Sequence, residues 1–293
     1  MAIVHSAALR RWARRSLLLA VILVTPSAYS EVVSQPQEEA GTLLGNYLSG
    51  RLARGDHDTL AAAEFYSKAL ASDPDNEIIL EQTFLLEAAS AHWDRAVKLA
   101  KDLVKVEPAH RIARFLLGCE AFKHGKYDEA DEHFAAARQG PIADLTSTLA
   151  RAWVLQAAGK SDEAFATLDG LSDADWAQFY QRYHRALIAD LAGKHDVARQ
   201  AYAQAFKKNP STLRVADAYA RHAANAHNRK LARRTLKTHI SKSASHPLSE
   251  ALLAEIEQGK TPPLLVANPT EGLAEVFYGI GDALAGEGGL DMG

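Results

Sequence analysis

The stretch FLLGCEAFKHGKYDEADEHFAAA, Phe115–Ala137, holds two helical patterns and the break between them. From Ile112 to Lys123 apolar residues fall at i, i+3 and i+4; His124-Gly125-Lys126 interrupts; from Tyr127 the period resumes with Ala130, Phe134 and Ala137 on one face. Ala130 is one rung of a ladder, because alanine recurs at 62, 96, 130, 164, 198 and 232, in steps of 34. Gly125, Gly159 and Gly193 keep the same period, each five residues before a ladder alanine. Gly50, Gly118, Ala152, Ala186 and Ala220 form a column of small residues twelve before it, and Tyr66, Phe134 and Tyr202 lie four after it. Pro74, Pro108 and Pro210 close three of the blocks, with Pro141 one residue early in another.

Blocks beginning at Leu43, Glu77, Arg111, Leu145, Phe179 and Leu213 therefore each predict a pair of helices. Glycine suits the end of the first helix, where a left-handed backbone angle is often needed. Proline suits the end of the second, since it cannot donate the hydrogen bond that a continuing helix requires. Two antiparallel helices cross closely only where their contact residues are small, which accounts for the Gly118 and Ala130 columns together. A leucine at 130 would overpack that crossing by about 1–3 kcal/mol.

The pattern resembles the tetratricopeptide repeat family, a 34-residue helix-turn-helix with a small residue in the first helix, A-x3-F in the second and a closing proline. The matches are Gly118, Gly125, Tyr127, Ala130, Phe134 and Ala137 in the third block, and Gly193, Ala198, Tyr202, Ala205 and Pro210 in the fifth. The resemblance covers about residues 42–258. It is weaker in the second block, where Phe84 stands in the small column, and in the sixth, where His227 stands in the glycine column; the family's tryptophan is absent throughout. It implies an all-α, right-handed superhelical solenoid of about six repeats. It also implies that the first helix of each pair lines a concave groove, which assigns Tyr47, Arg51, Phe115, Phe122, Trp153, Tyr180, Tyr183 and Arg221 to a partner-binding surface. Aromatic anchors of this kind often dominate binding energy; the other use for these rings is packing between neighbouring pairs. The lysine and asparagine clamp with which some members hold a terminal carboxylate is missing from these columns.

Outward from the repeats, residues 1–30 read as an export signal: Arg10, Arg11, Arg14 and Arg15, then SLLLAVILV (16–24), then TPSAYS. The apolar run is well short of the roughly 20 residues of a bilayer-spanning helix, so a cleaved signal is favoured over a retained anchor, with a periplasmic or secreted product. Arg14-Arg15-Ser16-Leu17-Leu18 also resembles a twin-arginine pattern. Losing four arginines and no acid moves the formal charge from -3 to -7, which gives no support to nucleic-acid binding or a general membrane coat. Cys119 is the only cysteine, so packing holds the fold without an internal disulfide. Residues 31–41 read as a polar lead-in, His246–Gln258 as a capping helix, 259–270 as a proline-rich connector, and 271–293 as the start of a further, incomplete repeat. Such an opening resembles that of a further repeat in longer exported bacterial proteins; the alternative is a C-terminal helix folded back on the last block.

Between Arg221 and Lys242 there is no acidic residue, and Lys230, Arg233, Arg234 and Lys237 share one helical face. This basic stripe is a solvated surface by default, and otherwise a contact for an acidic partner or an anionic membrane. Catalytic chemistry finds no constellation. His222 and His227 are five apart and miss a common face, Asp128, Glu129, Asp131, Glu132 and His133 lie on an outer helix side, and no H-E-x-x-H, G-x-S-x-G or phosphate loop occurs. Asp190 and His184 are expected to meet near the groove, without a nucleophile. The sequence thus predicts a non-catalytic scaffold with no cofactor and no metal, binding a protein or peptide in its groove. The rivals are the recognition arm of a larger envelope enzyme or assembly whose C-terminal part is missing, and a structural subunit bound through its basic end.

Overall fold

A computed structural model describes residues 41–172, 174–243 and 246–286. The signal expected over 1–30, residues 31–40 of the lead-in and residues 287–293 lie outside these. Among the described residues every regular element is a helix. Six antiparallel hairpins follow one another: α1 (Leu43–Gly55) with α2 (Thr59–Ser72), α3 (Glu77–Ala89) with α4 (Trp93–Val106), α5 (Arg111–Lys123) with α6 (Tyr127–Ala136), α7 (Pro141–Ala157) with α8 (Ser161–Asp169), α9 (Asp175–Leu191) with α10 (His195–Lys208), and α11 (Leu213–Asn225) with α12 (Arg229–Lys242). Then come α13 (Pro247–Glu257) and α14 (Pro269–Gly286). Each helix up to α13 packs on the next in sequence, which makes an all-α repeat solenoid.

All six ladder alanines are fully buried at the crossing within their hairpins. Opposite them, the small column of the first helix meets a large side chain of the second. A β-carbon added to Gly50 would come within 2.6 Å of the Tyr66 ring, and one added to Gly118 within 2.5 Å of Phe134, so main chain rests directly on each ring. The second hairpin inverts the arrangement. Phe84 occupies the small column, and Ala100 replaces the ring on the facing helix; both are fully buried in one cluster. The departure noted in the sequence is therefore an exchange of volume across one contact, with the crossing kept closed.

The turns inside the hairpins repeat one hydrogen-bond pattern. In the third, Lys126 N–H donates to Ala121 O at 2.9 Å and Gly125 N–H to Phe122 O at 3.0 Å, with Gly125 at φ 70°; this is the paired bonding that closes a helix through a left-handed residue. His57, Ala91 and His227 hold the same position at φ 59°, 57° and 56°. A side chain there costs about 1–2 kcal/mol, so three of the six turns are held in shape by their neighbours against local preference.

The fourth and fifth hairpins shift one boundary. The repeat period places their first helices at Leu145 and Phe179, whereas α7 starts at Pro141 and α9 at Asp175, about one turn earlier. The preceding α6 and α8 are short, at 10 and 9 residues, and Gly140 at φ 85° turns the chain into Pro141, the first residue of α7, where its missing N–H costs nothing. The extra turns of α7 and α9 bring Ile142 and Trp176 to the edge of the solenoid.

The exchange in the second hairpin gives a test by double-mutant cycle. Ala100→Phe alone overpacks and Phe84→Gly alone leaves a cavity, costing about 1–3 and at least 3 kcal/mol. The combination, which restores the ring-on-glycine geometry of the first and third hairpins, is expected to regain at least about 1 kcal/mol relative to the sum, measured by urea unfolding.

Candidate functional site

Beyond α13 the chain turns back along the solenoid. Arg229 donates to Gly259 O at 2.5 Å, Asn225 to Pro262 O at 2.8 Å and Arg221 to Pro263 O at 3.1 Å, so three side chains at the end of the last hairpin fix an extended segment rich in proline. The segment ends in a capped helix start. Asn268 Oδ1 accepts from Glu271 N–H at 3.0 Å, and the Glu271 carboxylate accepts from Ala267 N–H at 2.7 Å. From there α14 packs chiefly on α7, and secondarily on α9.

Four contacts seat it. Gly272 lies on the indole of Trp153, where an added β-carbon would overlap the ring. Glu275, nearly buried, takes an ion pair from Arg214 and a hydrogen bond from Tyr183 Oη at 3.0 Å. Tyr180 Oη donates to Gly279 O at 3.1 Å. Phe277 meets the Phe115 ring edge-on, with centroids 6.0 Å apart. The Arg214 guanidinium also lies 5.5 Å from the Tyr278 ring. Towards its end, Ile280, Ala283 and Leu284 join Ile142, Leu145, Trp176 and Tyr180 around a cavity of about 360 Å³.

The residues assigned to the groove thus divide. Trp153 and Tyr183 are buried, with α14 against both; Tyr180 and Phe115 are half-buried against its flanks. Arg221 pairs with Asp217 and holds the connector. Phe122 is buried in its own hairpin, 5.7 Å from the Tyr127 ring. Tyr47 is half-buried, edge-on to Tyr66 at 5.7 Å, with exposed Arg51 lying 6.0 Å from its ring; this end carries no part of α14. Arg214, Gly272, Glu275 and Phe277 were not singled out from the sequence. Arg214 shares the column of Tyr180, 34 residues on, which is a usable signal; the others carry none, since their partners lie 61 or more residues away.

Two histidines, His184 and His222, are buried nearby. Asp190 and His184, expected to meet, do not. Asp190 Oδ1 binds His222 Nδ1 at 2.6 Å, and His184 Nδ1 accepts from Trp153 Nε1–H at 3.0 Å. The His184 proton therefore sits on Nε2, which has no hydrogen-bond partner, and burial pushes the ring's pKa down to about 3. Burial likewise holds the Tyr183 hydroxyl above its usual range and pushes the Cys119 thiol up to about 12, so Cys119 is an inert thiol. No group of three or more His, Cys, Asp or Glu among the described residues can hold a metal ion. The basic stripe lies on α12: Lys230, Arg233, Arg234 and Lys237 are exposed and line, with Thr238 and Ser241, an open depression of about 550 Å³. Lys237 pairs with Glu257 at 3.0 Å. No described helix is long and apolar enough to cross a membrane.

No protein-family model matches the sequence, and no curated protein matches it either. Among solved structures, a tetratricopeptide repeat protein from Parabacteroides merdae matches with a TM-score of 0.60 at 11% identity, over 82% of this chain and 92% of its own. YrrB, described as a TPR protein with an unusual peptide-binding site, matches with a TM-score of 0.43 at 18% identity, over 65% of this chain and 98% of its own. The APC/C hetero-tetramer Cut9-Hcn1 matches with a TM-score of 0.47 at 14% identity, over 73% and 42%.

Two measurements probe the seat of α14. Gly272→Leu forces a side chain into the Trp153 ring, and proteases are expected to cut between residues 259 and 268 about tenfold faster or more, while circular dichroism keeps most of its helical signal. Protection of the connector in that variant would contradict the packing described. Neutral His184 makes stability depend on pH. The unfolded ring takes up a proton below about pH 6.5 and the folded one only near pH 3, so its contribution is complete above 6.5 and lost as pH falls. Unfolding free energies from urea titrations are expected to drop from pH 6.5 to 5, with a slope of up to about 1.4 kcal/mol per pH unit that His184→Gln removes.

Proposed function

Because the chain has the tetratricopeptide-repeat fold, we propose that it is a non-catalytic scaffold that binds a protein or peptide partner on its concave side, at the N-terminal end that α14 leaves open. One observation carries this reading. Leu44, Ile78 and Ile112 stand in the same column as Tyr180 and Arg214, the residues that hold α14, and they are 65%, 66% and 44% exposed. Three consecutive hairpins therefore present large apolar side chains where two later hairpins already grip a helix. Half-buried Tyr47 and Leu85 lie on the helices α1 and α3, and supply ring and aliphatic surface beside the row.

Helix α14, held by the later hairpins, supports a reading of what the open row takes. It accepts an amphipathic helix with a glycine at the closest approach and apolar residues at i, i+4 and i+7 or i+8. Exposed apolar rows of this kind on monomers mark interaction sites. The basic stripe on α12 is a separate surface suited to an acidic partner, and binding through it weakens with added salt. Residues 1–30 act as the export signal on this reading, so the partner is an envelope or secreted protein.

The test leaves α14 undisturbed. Partners captured by the wild-type chain are compared with those captured by Leu44→Ser/Ile78→Ser/Ile112→Ser. Burying three such side chains contributes about 3 kcal/mol or more, so the variant is expected to lose affinity by about a hundredfold or more with unchanged thermal stability. A stable variant that keeps every partner at wild-type affinity sinks the proposal.

A further inference from the structure

Between consecutive second helices lies a gap, floored by the first helix that packs on both. In the later gaps a long side chain from the floor closes the space. Arg114 of α5 donates to Pro108 O at 2.6 Å, just beyond α4, and reaches His133 of α6 at 3.0 Å. Arg151 of α7 grips Asp131 of α6 through two bonds, at 2.8 and 3.0 Å. Arg185 of α9 pairs with Asp169 of α8 at 2.6 Å, and Tyr219 of α11 meets Phe206 of α10 with ring centroids 6.0 Å apart. The gap between α2 and α4 differs. There α3 presents Leu80 at the position of Arg114, and Thr83 at that of Arg151, Arg185 and Tyr219. Fully buried Glu87 ties Ser67 of α2 to Arg95 of α4 at one end. Beyond that tie the gap stays open as a groove of about 750 Å³.

The groove has an apolar middle and oppositely charged ends. Leu70, Leu80 and Leu99 line its middle. Arg95 and Lys98 stand at the end beside Glu87, and Asp75 and Glu77 at the other, where α3 begins. Lys98, Asp75 and Glu77 are exposed and have no ion-pair partner among the described residues. From Arg95 to Val106, which lines the far end, α4 rises about 16 Å, the span of about five residues of extended chain. A free amino acid carries its two charges too close together to reach both ends, and a polyanion or an anionic lipid surface would be repelled at one of them. Elsewhere a single arginine or tyrosine fills the equivalent space. The groove is therefore narrow, admitting an extended chain and excluding a helix about 10–12 Å across.

We propose that the groove between α2 and α4 takes an extended segment of a protein partner, with two aliphatic side chains on Leu70, Leu80 and Leu99. An acidic residue of the segment faces Arg95 and Lys98, and a basic one faces Asp75 and Glu77, which sets both register and selectivity. Alternate residues of an extended chain point the same way, so the aliphatic pair lies two positions apart. Leu80, Thr83 and Glu87 lie about half a turn of α3 away from Ile78 and Leu85. This surface is thus separate from the open row, and the two proposals stand or fall independently.

Isothermal titration calorimetry with two capped pentapeptides, Asp-Leu-Thr-Leu-Lys and its reverse, Lys-Leu-Thr-Leu-Asp, tests the proposal in either chain direction. The full chain is expected to bind at least one of them saturably. Thr83→Arg, which installs the side chain that closes the later gaps, is expected to abolish binding with the melting temperature kept. Lys98→Glu lies on the exposed rim and tests the site even where Thr83→Arg disturbs folding. It is expected to weaken the bound peptide by about tenfold or more, whereas Lys-Leu-Thr-Leu-Lys is expected to bind this variant more tightly than it binds the wild type. Leu44→Ser/Ile78→Ser/Ile112→Ser is expected to bind the peptide as the wild type does. A wild type that takes up neither peptide at millimolar concentration, a folded Thr83→Arg that still binds, or a Lys98→Glu with unchanged peptide preference overturns the proposal. So does loss of the peptide in the triple variant, which would place it on the open row.

Discussion

Helix backbone laid against the face of a bulky side chain is the contact on which this molecule depends. Interiors are packed to a nearly constant density, so a crossing tolerates one large partner and one small one, and the sum matters more than which helix carries which. Gly50 with Tyr66, Gly118 with Phe134 and Phe84 with Ala100 satisfy the same condition in two senses. Because each hairpin closes to the same thickness, the first helices stack in register and their columns line up along one side. A row of side chains 34 residues apart in sequence thereby becomes a continuous surface.

Helix α14 enters that surface by the same kind of contact, with Gly272 on Trp153. Its polar contacts serve placement. Burying the Glu275 carboxylate beside Arg214 costs solvation that the ion pair roughly repays, and the bond from Tyr183 Oη satisfies a remaining lone pair. What the pair does firmly is fix the helix lengthwise, since a slide of one turn would leave the Glu275 carboxylate buried and unmatched. The row of first-helix side chains consequently has a furnished C-terminal region and a bare N-terminal one, built from equivalent positions.

The repeat was legible because its determinants are local and recurrent. The alanine ladder, the glycines at three turns and the aromatic column each appear several times at one spacing, and each is explained within a single hairpin. Legibility falls off as partners separate. The role of Phe84 became clear only beside Ala100, sixteen positions later. The early start of α7 and α9 trades a turn between neighbouring helices while leaving the period intact, so the period could not disclose it. The docking of α14 joins residues such as Gly272 and Trp153 that belong to no common repeat. The rings assigned to the groove lie on the first helices of their hairpins, yet periodicity is silent about which of them another part of the chain covers.

A stack of hairpins joined only to neighbours behaves as a spring, free to coil, stretch and twist by small changes at each junction. Through Phe115, Trp153, Tyr183 and Arg214, α14 touches α5, α7, α9 and α11 at once, and so ties four successive turns of the spring to one rigid strut. The elasticity of the molecule is thereby confined to its first two hairpins, where the exposed apolar row begins.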